Sequence, residues 1–243
     1  MTMSIKDLEN IIKKHLKAST KPPLLVILGP TASGKTDLSI YLAKKYHGEI
    51  VSADSRQVYK YMDIGTGKIT ESEKENIPHF MLDIVNPDVE FSLADYQSQA
   101  IANINGILSR GNLPIIVGGT GLYISSIIDN YQLPKAPPNE ALRMELEKLN
   151  TADLHRKLEE LDSESAKKIH ANNRRYVIRA IEIITQEQKP KEDQKGESMF
   201  NPLLIGIDWP REELYQRIEK RIDQQIKNGF IEEVYSLLKR GYN

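Results

Sequence analysis

Short apolar runs alternate with stretches of helical periodicity through the first half of the chain. The runs that predict strands are Leu24–Leu28, Glu49–Ser52, His79–Val85, Pro114–Val117 and, near the end, Leu203–Ile207. Apolar residues recur at helical spacing between them, and Ser92 is suited to cap one of the helices. Strands that alternate with helices are typical of βαβ units. The pattern therefore predicts an α/β fold, with a parallel sheet flanked by helices.

The periodicity changes in the second half, after prolines at positions 134, 137 and 138. From Asn139 to Gln188 it is helical and charged without a strand signal, and a polar segment follows over 189–201. Near the start, apolar residues at positions 5, 8, 11, 12 and 16 predict an amphipathic helix. We therefore predict a helical extension over residues 1–20, a core domain made of 21–133 and 202–243, and an inserted all-helical module over 134–201.

Composition narrows the class of protein. Of the 243 residues, 40% are hydrophobic and 28% are charged, which is typical of a soluble globular protein, and no cysteine is present to form disulfides or thiolate metal sites. No apolar run reaches membrane-spanning length, and the N-terminal segment lacks the apolar core of a secretory signal, so the expected location is the cytoplasm. The net charge of −1 gives no general support for a nucleic-acid partner, which would need local clusters of basic residues.

One loop carries a specific chemical pattern. Gly29 follows the first strand, and its spacing to Gly34, Lys35 and Thr36 is that of the phosphate-binding loop of P-loop NTPases. Glycines let backbone N–H groups converge on an anion, while the lysine supplies a positive charge and the threonine a hydroxyl for Mg²⁺. A glycine-rich turn that binds nothing is the alternative, but strand, loop and helix follow in the required order. We predict a P-loop NTPase-like sheet whose loop binds a phosphate or diphosphate.

Two other loops are expected at the same edge of the sheet. Open α/β sheets bind ligands at the carboxyl ends of their strands, where one strand leads to Asp54 and another ends in Gly118-Gly119-Thr120. Nucleotide kinases and ATPases commonly hold magnesium with a carboxylate at such a strand end. Two glycines and a threonine offer N–H groups and a hydroxyl instead. This favours another use of a diphosphate over nucleotide hydrolysis.

Several segments together resemble the tRNA dimethylallyltransferase (tRNA isopentenyltransferase, IPP transferase) family. The similarity runs from about Pro23 to Tyr242, and its motifs fall in the order of the family. The segments that carry it are Gly29–Thr36, Ser52–Tyr59, Met62–Lys68, Pro78–Asp83, Val117–Tyr123 and Arg217–Arg221. Family members continue with further helices past the position of Asn243, so this sequence is expected to be C-terminally short.

The resemblance implies a transfer reaction. The donor is dimethylallyl diphosphate, and the acceptor is the N6 amine of the adenine just 3′ of a tRNA anticodon. By resemblance, Asp54 is the general base, Arg221 stabilises the departing diphosphate, and Thr120 lines the channel between the substrates. Residue type alone gives plainer interpretations: a turn aspartate, a solvated helix arginine and a turn threonine. The expected diphosphate-binding residues are Gly29, Pro30, Thr31, Ala32, Ser33, Gly34, Lys35 and Thr36, and Thr36 is also the expected Mg²⁺ ligand.

The implied RNA contacts fall in two places. The acceptor adenine must leave its stack, and the residues expected around it are Asp54, Ser55, Arg56, Gln57 and Thr120. The densest basic cluster lies in the insertion and is expected to contact RNA phosphates through Arg174, Arg175 and Arg179, with Lys167 and Lys168 nearby. A solvated helix face is the alternative explanation of these charges. The protein is expected to act as a monomer, without a membrane.

Three other functions stay open at this point. An adenylate isopentenyltransferase would prenylate a free nucleotide, although it would not need the helical insertion. A small-molecule kinase would use the same loop, although the strand-end carboxylate is missing. A truncated RNA-binding form with impaired activity would agree with the short C-terminal end.

Overall fold

The structure, a computed structural model, describes residues 3–18, 20–133, 138–187 and 195–242. Its strands are β1 (Pro23–Leu28), β2 (Gly48–Ala53), β3 (His79–Phe80), β4 (Leu113–Gly118) and β5 (Asn201–Gly206). Its helices are α1 (Ile5–Ala18), α2 (Lys35–Tyr46), α3 (Glu71–Lys74), α4 (Leu93–Ser109), α5 (Gly121–Ile128), α6 (Glu140–Glu147), α7 (Thr151–Leu161), α8 (Ser163–Lys168), α9 (Arg174–Glu187), α10 (Arg211–Lys227) and α11 (Phe230–Lys239). None of these helices, within the described ranges, is long and apolar enough to cross a membrane.

The chain divides into two compact units. The first comprises Met1–Asn130 and Glu197–Asn243, and the second comprises Tyr131–Gly196. The predicted insertion, residues 134–201, differs from the second unit at both ends, and the domain boundaries stay a prediction. Much of the polar segment expected over 189–201 lies outside the described residues.

All five strands run parallel in one sheet of the first unit, in the order β3-β2-β4-β1-β5. This confirms the predicted α/β fold with a parallel sheet flanked by helices. The predicted strand over 79–85 is wrong beyond Phe80, because Met81 and Asp83 have φ angles of 65° and 54° that interrupt an extended backbone. Further along, Val85 forms an isolated bridge with Tyr59.

Both faces of the central strands β1, β2 and β4 are buried, as their continuous apolar runs require, whereas the edge strand β5 is partly exposed. Leu24 packs with residues of α4 and α5, whereas Leu25 points to the other face and packs with residues of α1 and α2. The predicted amphipathic helix near the start is α1, whose Ile12 is fully buried. Ser92 caps α4 through reciprocal hydrogen bonds with Asp95, which agrees with its predicted role.

The carboxyl ends of four strands lie in register. Leu28, the last residue of β1, pairs with Gly118 of β4 on one side and with Gly206 of β5 on the other. Gly118 also pairs with Ala53, the last residue of β2. A Cβ at Gly118 would lie 2.1 Å from the carbonyl oxygen of Ala53, so the close approach of these strand ends requires glycine. The loops that leave β1, β2, β4 and β5 therefore begin side by side.

The second unit is helical around an apolar core of its own. Its core includes side chains of α6, α7, α8 and α9. Glu182 of α9 is fully buried, and its carboxylate accepts hydrogen bonds from Arg143, Arg179 and the Asn139 N–H. Burial raises the pKa of Glu182, but the Asn139 N–H and the two guanidinium groups outweigh burial and hold it below its usual range. This buried ion-pair network fixes α9 against the segment that starts α6.

We expect Gly118→Ala to lower the free energy of unfolding by about 1–3 kcal/mol, because the added methyl group must push the ends of β2 and β4 apart. Gly119→Ala is the matched control, since the nearest atom to its Cβ would be the Gly29 carbonyl oxygen at 3.6 Å. Urea unfolding followed by circular dichroism measures both. Equal losses of stability in the two variants would contradict this account of the sheet edge.

Candidate active site

The phosphate-binding loop connects β1 to α2. Gly34 has a φ of 92°, which L side chains rarely adopt, and the backbone then enters α2 at Lys35. The Lys35 ammonium donates to the carbonyl oxygens of Gly29 at 3.0 Å and Pro30 at 2.7 Å, so the side chain folds over the loop. Thr36 is exposed in the first turn of α2, where the helix dipole favours negative charge. The loop thus offers an anion a cation, a hydroxyl and a helix N-terminus.

Two side chains near the start of α10 hold this loop from outside. Trp209 Nε1 donates to the Ser33 carbonyl at 2.8 Å, and Arg217 Nε donates to the Ala32 carbonyl at 2.7 Å. The Arg217 guanidinium also lies 4.3 Å from the centroid of the Trp209 ring. Sequence reasoning named neither as a site residue. The signal that could have found them is their position, because Asp208-Trp209-Pro210 follows β5 at the same sheet edge as the loop.

Asp54 lies directly after β2, next to Thr120 at the end of β4. Its Oδ1 accepts from the N–H of Arg56 at 2.8 Å and, more weakly, of Gln57 at 3.4 Å, which is the turn-capping role that residue type suggests. Its Oδ2 has no hydrogen-bond partner in the part of the chain that the structure describes. The Thr120 hydroxyl accepts from the Ser55 N–H at 3.0 Å. Thr120 therefore ties the end of β4 to the turn that carries Asp54 and leaves one carboxylate oxygen for a substrate.

Arg221 of α10 lies close enough to Lys35 for its charge to affect the pKa of that ammonium. Its guanidinium donates to the carbonyl oxygens of Thr66 and Gly67, both at 3.4 Å. Burial lowers the pKa of the Lys35 ammonium, the Arg221 charge lowers it further, and the Asp54 carboxylate opposes both effects. The structure thus brings Lys35, Arg221 and Asp54 within mutual electrostatic influence.

Arg56 and Gln57, which follow Asp54 in the chain, differ in exposure and in their contacts. Arg56 is exposed, whereas Gln57 is half-buried and its amide donates to the carbonyl oxygens of Thr66 and Gly67 at 3.4 and 3.3 Å. Gln57 therefore shares both acceptors with Arg221. Its side chain therefore connects the turn after β2 to residues 66 and 67, which also contact Arg221 of α10. This contact is additional to its expected place near the adenine.

The basic residues predicted to contact RNA differ in how they are used within the helical unit. Arg174 donates to the carbonyl oxygens of Glu147 and Leu149, at 3.2 and 2.9 Å, and Arg179 pairs with the buried Glu182. Arg175 lies exposed on α9, beside Tyr176, whose side chain is 63% exposed. Arg175 is the member of the trio that the fold presents to solvent.

The described residues offer few side-chain ligands for a metal ion. Among the described residues, no group of three or more His, Cys, Asp or Glu side chains is arranged to hold a metal ion. The exposed Thr36 hydroxyl beside the phosphate loop is the oxygen that the sequence predicts as a ligand. A cation here would need most of its ligands from a bound substrate and water.

Comparison with known proteins gives one consistent result. The profile of a family described as IPP transferase matches residues 57–243. A tRNA dimethylallyltransferase of Acetivibrio thermocellus is 49% identical over 229 residues, which cover 90% of this chain and 73% of the relative.

Solved structures agree with the sequence comparison. The crystal structure of tRNA delta(2)-isopentenylpyrophosphate transferase from Staphylococcus epidermidis is 46% identical, with a TM-score of 0.62, covering 91% of this chain and 75% of that one. A eukaryotic dimethylallyltransferase acting on tRNA is 29% identical, with a TM-score of 0.78, covering 90% of this chain and 56% of that one.

We expect Trp209→Phe to weaken the binding of inorganic diphosphate by about threefold to tenfold, because it removes the hydrogen bond to Ser33 while keeping an aromatic ring under Arg217. Isothermal titration calorimetry measures the affinity. Tyr215→Phe is the matched control, since its hydroxyl accepts from Arg211 on the exposed surface of the same helix. An unchanged affinity in Trp209→Phe would show that anion binding by the loop does not depend on the hydrogen bond from Trp209 to Ser33.

Proposed function

The chain belongs to the IPP transferase family, and we propose that it transfers a dimethylallyl group from dimethylallyl diphosphate to tRNA. The proposed acceptor is the N6 amine of the adenine at position 37, next to the anticodon on its 3′ side, in tRNAs that read codons starting with U. The observation that carries the proposal is that the phosphate loop, Asp54 and Thr120 leave strand ends that lie in register. Arg221 completes this set of groups within the same unit.

The tRNA acceptor is favoured over the alternatives. A relative 49% identical to this chain is named tRNA dimethylallyltransferase, which supports tRNA rather than free adenylate as the substrate. β4 ends at Gly118 without a carboxylate, which disfavours a kinase that would hold magnesium at that strand end. We also propose that the protein acts in the cytoplasm as a monomer.

The proposed reaction is a single displacement. The adenine amine forms a C–N bond to the allylic carbon as the C–O bond to diphosphate breaks. Lys35, Arg221 and the loop N–H groups stabilise the negative charge that develops on the leaving group. One N6 proton passes to Asp54, whose Oδ2 is available while Oδ1 caps the turn. Thr120 holds that turn in place through its hydrogen bond from Ser55.

The residues present fit a magnesium ion held mainly by the donor. Mg²⁺ prefers octahedral oxygen ligands, retains several waters, and often binds through substrate phosphates and only one or two protein oxygens. The exposed Thr36 hydroxyl, beside the phosphate loop, suits such a shared site. When bound, Mg²⁺ would neutralise part of the diphosphate charge. Thr36 is therefore the proposed protein ligand.

RNA recognition is proposed to involve both units. The adenine would leave its stack and enter the site beside Asp54, Ser55, Arg56, Gln57 and Thr120. In the helical unit, Arg175 is the proposed main phosphate contact, while Arg174 and Arg179 also hold their own helices together. Exposed arginine next to exposed Tyr176 suits both a phosphate and an unstacked base.

The proposal is tested by incubating the protein with dimethylallyl diphosphate, magnesium and an anticodon stem-loop that carries the target adenine. Mass spectrometry of the digested RNA is expected to find a prenylated adenosine, and a stem-loop with guanine at that position is the control. Transfer to AMP without transfer to the stem-loop would replace tRNA by free adenylate as the acceptor.

In the same assay we expect Asp54→Asn to lower kcat on the order of 10²–10⁴-fold, because the amide cannot accept the proton. The asparagine oxygen can still accept from the N–H of Arg56, so the turn and the binding of inorganic diphosphate should persist. This variant separates the two roles of Asp54. Turnover near the wild-type rate would remove it as the base.

We expect Arg175→Ala to weaken stem-loop binding and to reduce the slope of log affinity against log salt concentration by about one, because one phosphate contact is lost. Its thermal unfolding should be unchanged. Arg174→Ala is expected to lower the unfolding temperature instead, since its guanidinium joins α9 to the end of α6. Filter binding at several salt concentrations measures the first effect, and an unaltered slope in Arg175→Ala would contradict it.

A further inference from the structure

The segment of residues 63–67, here named the anchoring loop, contacts α10 through Arg221 and α11 through Glu233. Its backbone is closed on itself, since the Gly67 N–H donates to the Ile64 carbonyl at 3.0 Å. Lys68, whose side chain is only 4% exposed, pairs with Asp63 and Asp83 and so fixes the end of the loop. The loop is therefore a preformed turn with polar backbone groups in both of its halves.

Glu233 of α11 holds the first half of the anchoring loop. Its Oε2 accepts from the N–H groups of Asp63 and Ile64, both at 2.7 Å, and its Oε1 accepts from Gly65 at 2.9 Å. Three consecutive backbone N–H groups that converge on one carboxylate form an anion-binding nest. Hydrogen bonds to a charged acceptor are among the strong ones in proteins, so this contact is a major attachment between the loop and α11.

Arg221 is held by the second half of the same loop. Its guanidinium donates to the carbonyl oxygens of Thr66 and Gly67 at 3.4 Å, near the long limit for a hydrogen bond. At that length a small displacement of either carbonyl breaks the contact. A Cβ at Gly67 would lie 1.6 Å from the Arg221 Nη2 atom, so the guanidinium packs directly against the glycine backbone.

Polar contacts make up much of the attachment of α10 and α11, and the Phe230 ring of α11 adds an apolar contact to Gly65, whose Cβ would lie 2.5 Å from it. Neither helix contains a buried residue in the part of the chain that the structure describes, and their outer side chains include Ile222, Ile226 and Leu238 at about half exposure. Gln225 of α10 adds a 2.6 Å hydrogen bond to the Ile64 carbonyl. Because little apolar burial fixes these helices, the hydrogen bonds of the anchoring loop, together with the bond from Arg217 to the Ala32 carbonyl, fix where Arg221 lies.

We infer that Glu233 is a positioning residue, which acts on the diphosphate through the anchoring loop and Arg221. This inference rests on the proposed function in one respect, since that function assigns Arg221 to the departing diphosphate. Loss of the Glu233 carboxylate releases the three N–H groups, shifts the Thr66 and Gly67 carbonyls and frees the guanidinium. The result is a weaker grip on diphosphate without any direct contact between Glu233 and the ligand.

A double-mutant cycle tests this chain of contacts with inorganic diphosphate as the probe. Glu233→Gln and Arg221→Ala are each expected to weaken diphosphate binding roughly tenfold, measured by calorimetry. In the Arg221→Ala background, Glu233→Gln should cause no further loss, because the group through which it acts is gone. Glu232→Gln is the matched control, since Glu232 is an exposed carboxylate on the same helix outside the loop contact.

Independent, additive losses in the cycle, or wild-type affinity in Glu233→Gln, would overturn the inference. Gly67→Ala provides a second route that does not touch α11. It should weaken diphosphate binding more when Arg221 is present than in the Arg221→Ala background, where the clash with the guanidinium is removed and only the strain of alanine at a φ of 58° remains. Equal effects in both backgrounds would also overturn it.

The binding cycle separates this inference from the proposed function. Non-additive losses without any prenyl transfer to RNA would retain the positioning role and reject the transferase. Prenyl transfer with additive losses would retain the transferase and reject the positioning role. Where transfer occurs, Glu233→Gln is expected to lower kcat in the same proportion as diphosphate affinity while KM for RNA stays unchanged.

Discussion

The register of the parallel sheet at its carboxyl edge is the constraint on which the rest of the site depends. Leu28 pairs with both Gly118 and Gly206, and Gly118 pairs with Ala53, so four strands end at one level. A parallel sheet places every strand-end loop on the same side, and here those loops carry the glycines of the phosphate-loop pattern, Asp54 and Thr120. A slip of one residue would turn each side chain of the strand to the opposite face of the sheet as well as separating these groups.

The site is assembled by two kinds of attachment with different physical character. The ends of β2 and β4 follow strands that are buried on both faces of the sheet. Arg221 and Arg217 reach the same place from α10, which is attached through hydrogen bonds to carbonyl oxygens of the phosphate loop and of residues 66 and 67. Such bonds contribute modestly to stability but strongly to direction. The fold thus places the proposed base directly after a buried strand and the proposed diphosphate-stabilising cation on a helix held by polar contacts.

Local patterns predicted the features that depend on near neighbours. The apolar runs gave the central strands, Ser92 gave the start of α4, and the glycine spacing gave the phosphate loop. The contact between Glu233 and the Asp63 N–H spans 170 residues, and that between Trp209 and Ser33 spans 176, so local spacing reveals neither pairing, although the position of Trp209 after β5 indicates its sheet edge. Charge density was also an incomplete guide to the helical unit. It could not show that Arg179 pairs with a buried glutamate while Arg175 stays exposed, because that depends on how α9 packs.

The electrostatics of the site argue for an anionic ligand on grounds separate from the glycine pattern. Lys35 is half-buried beside Arg221, and both effects oppose its positive charge. Two neighbouring cations with a single carboxylate are costly for a folded protein unless the arrangement serves a function. A diphosphate would reverse that cost, since each unit of negative charge it gains on departure interacts favourably with both. In the proposed reaction, the same arrangement would therefore stabilise the leaving group more than the bound donor, which is the condition for lowering a reaction barrier rather than only tightening binding.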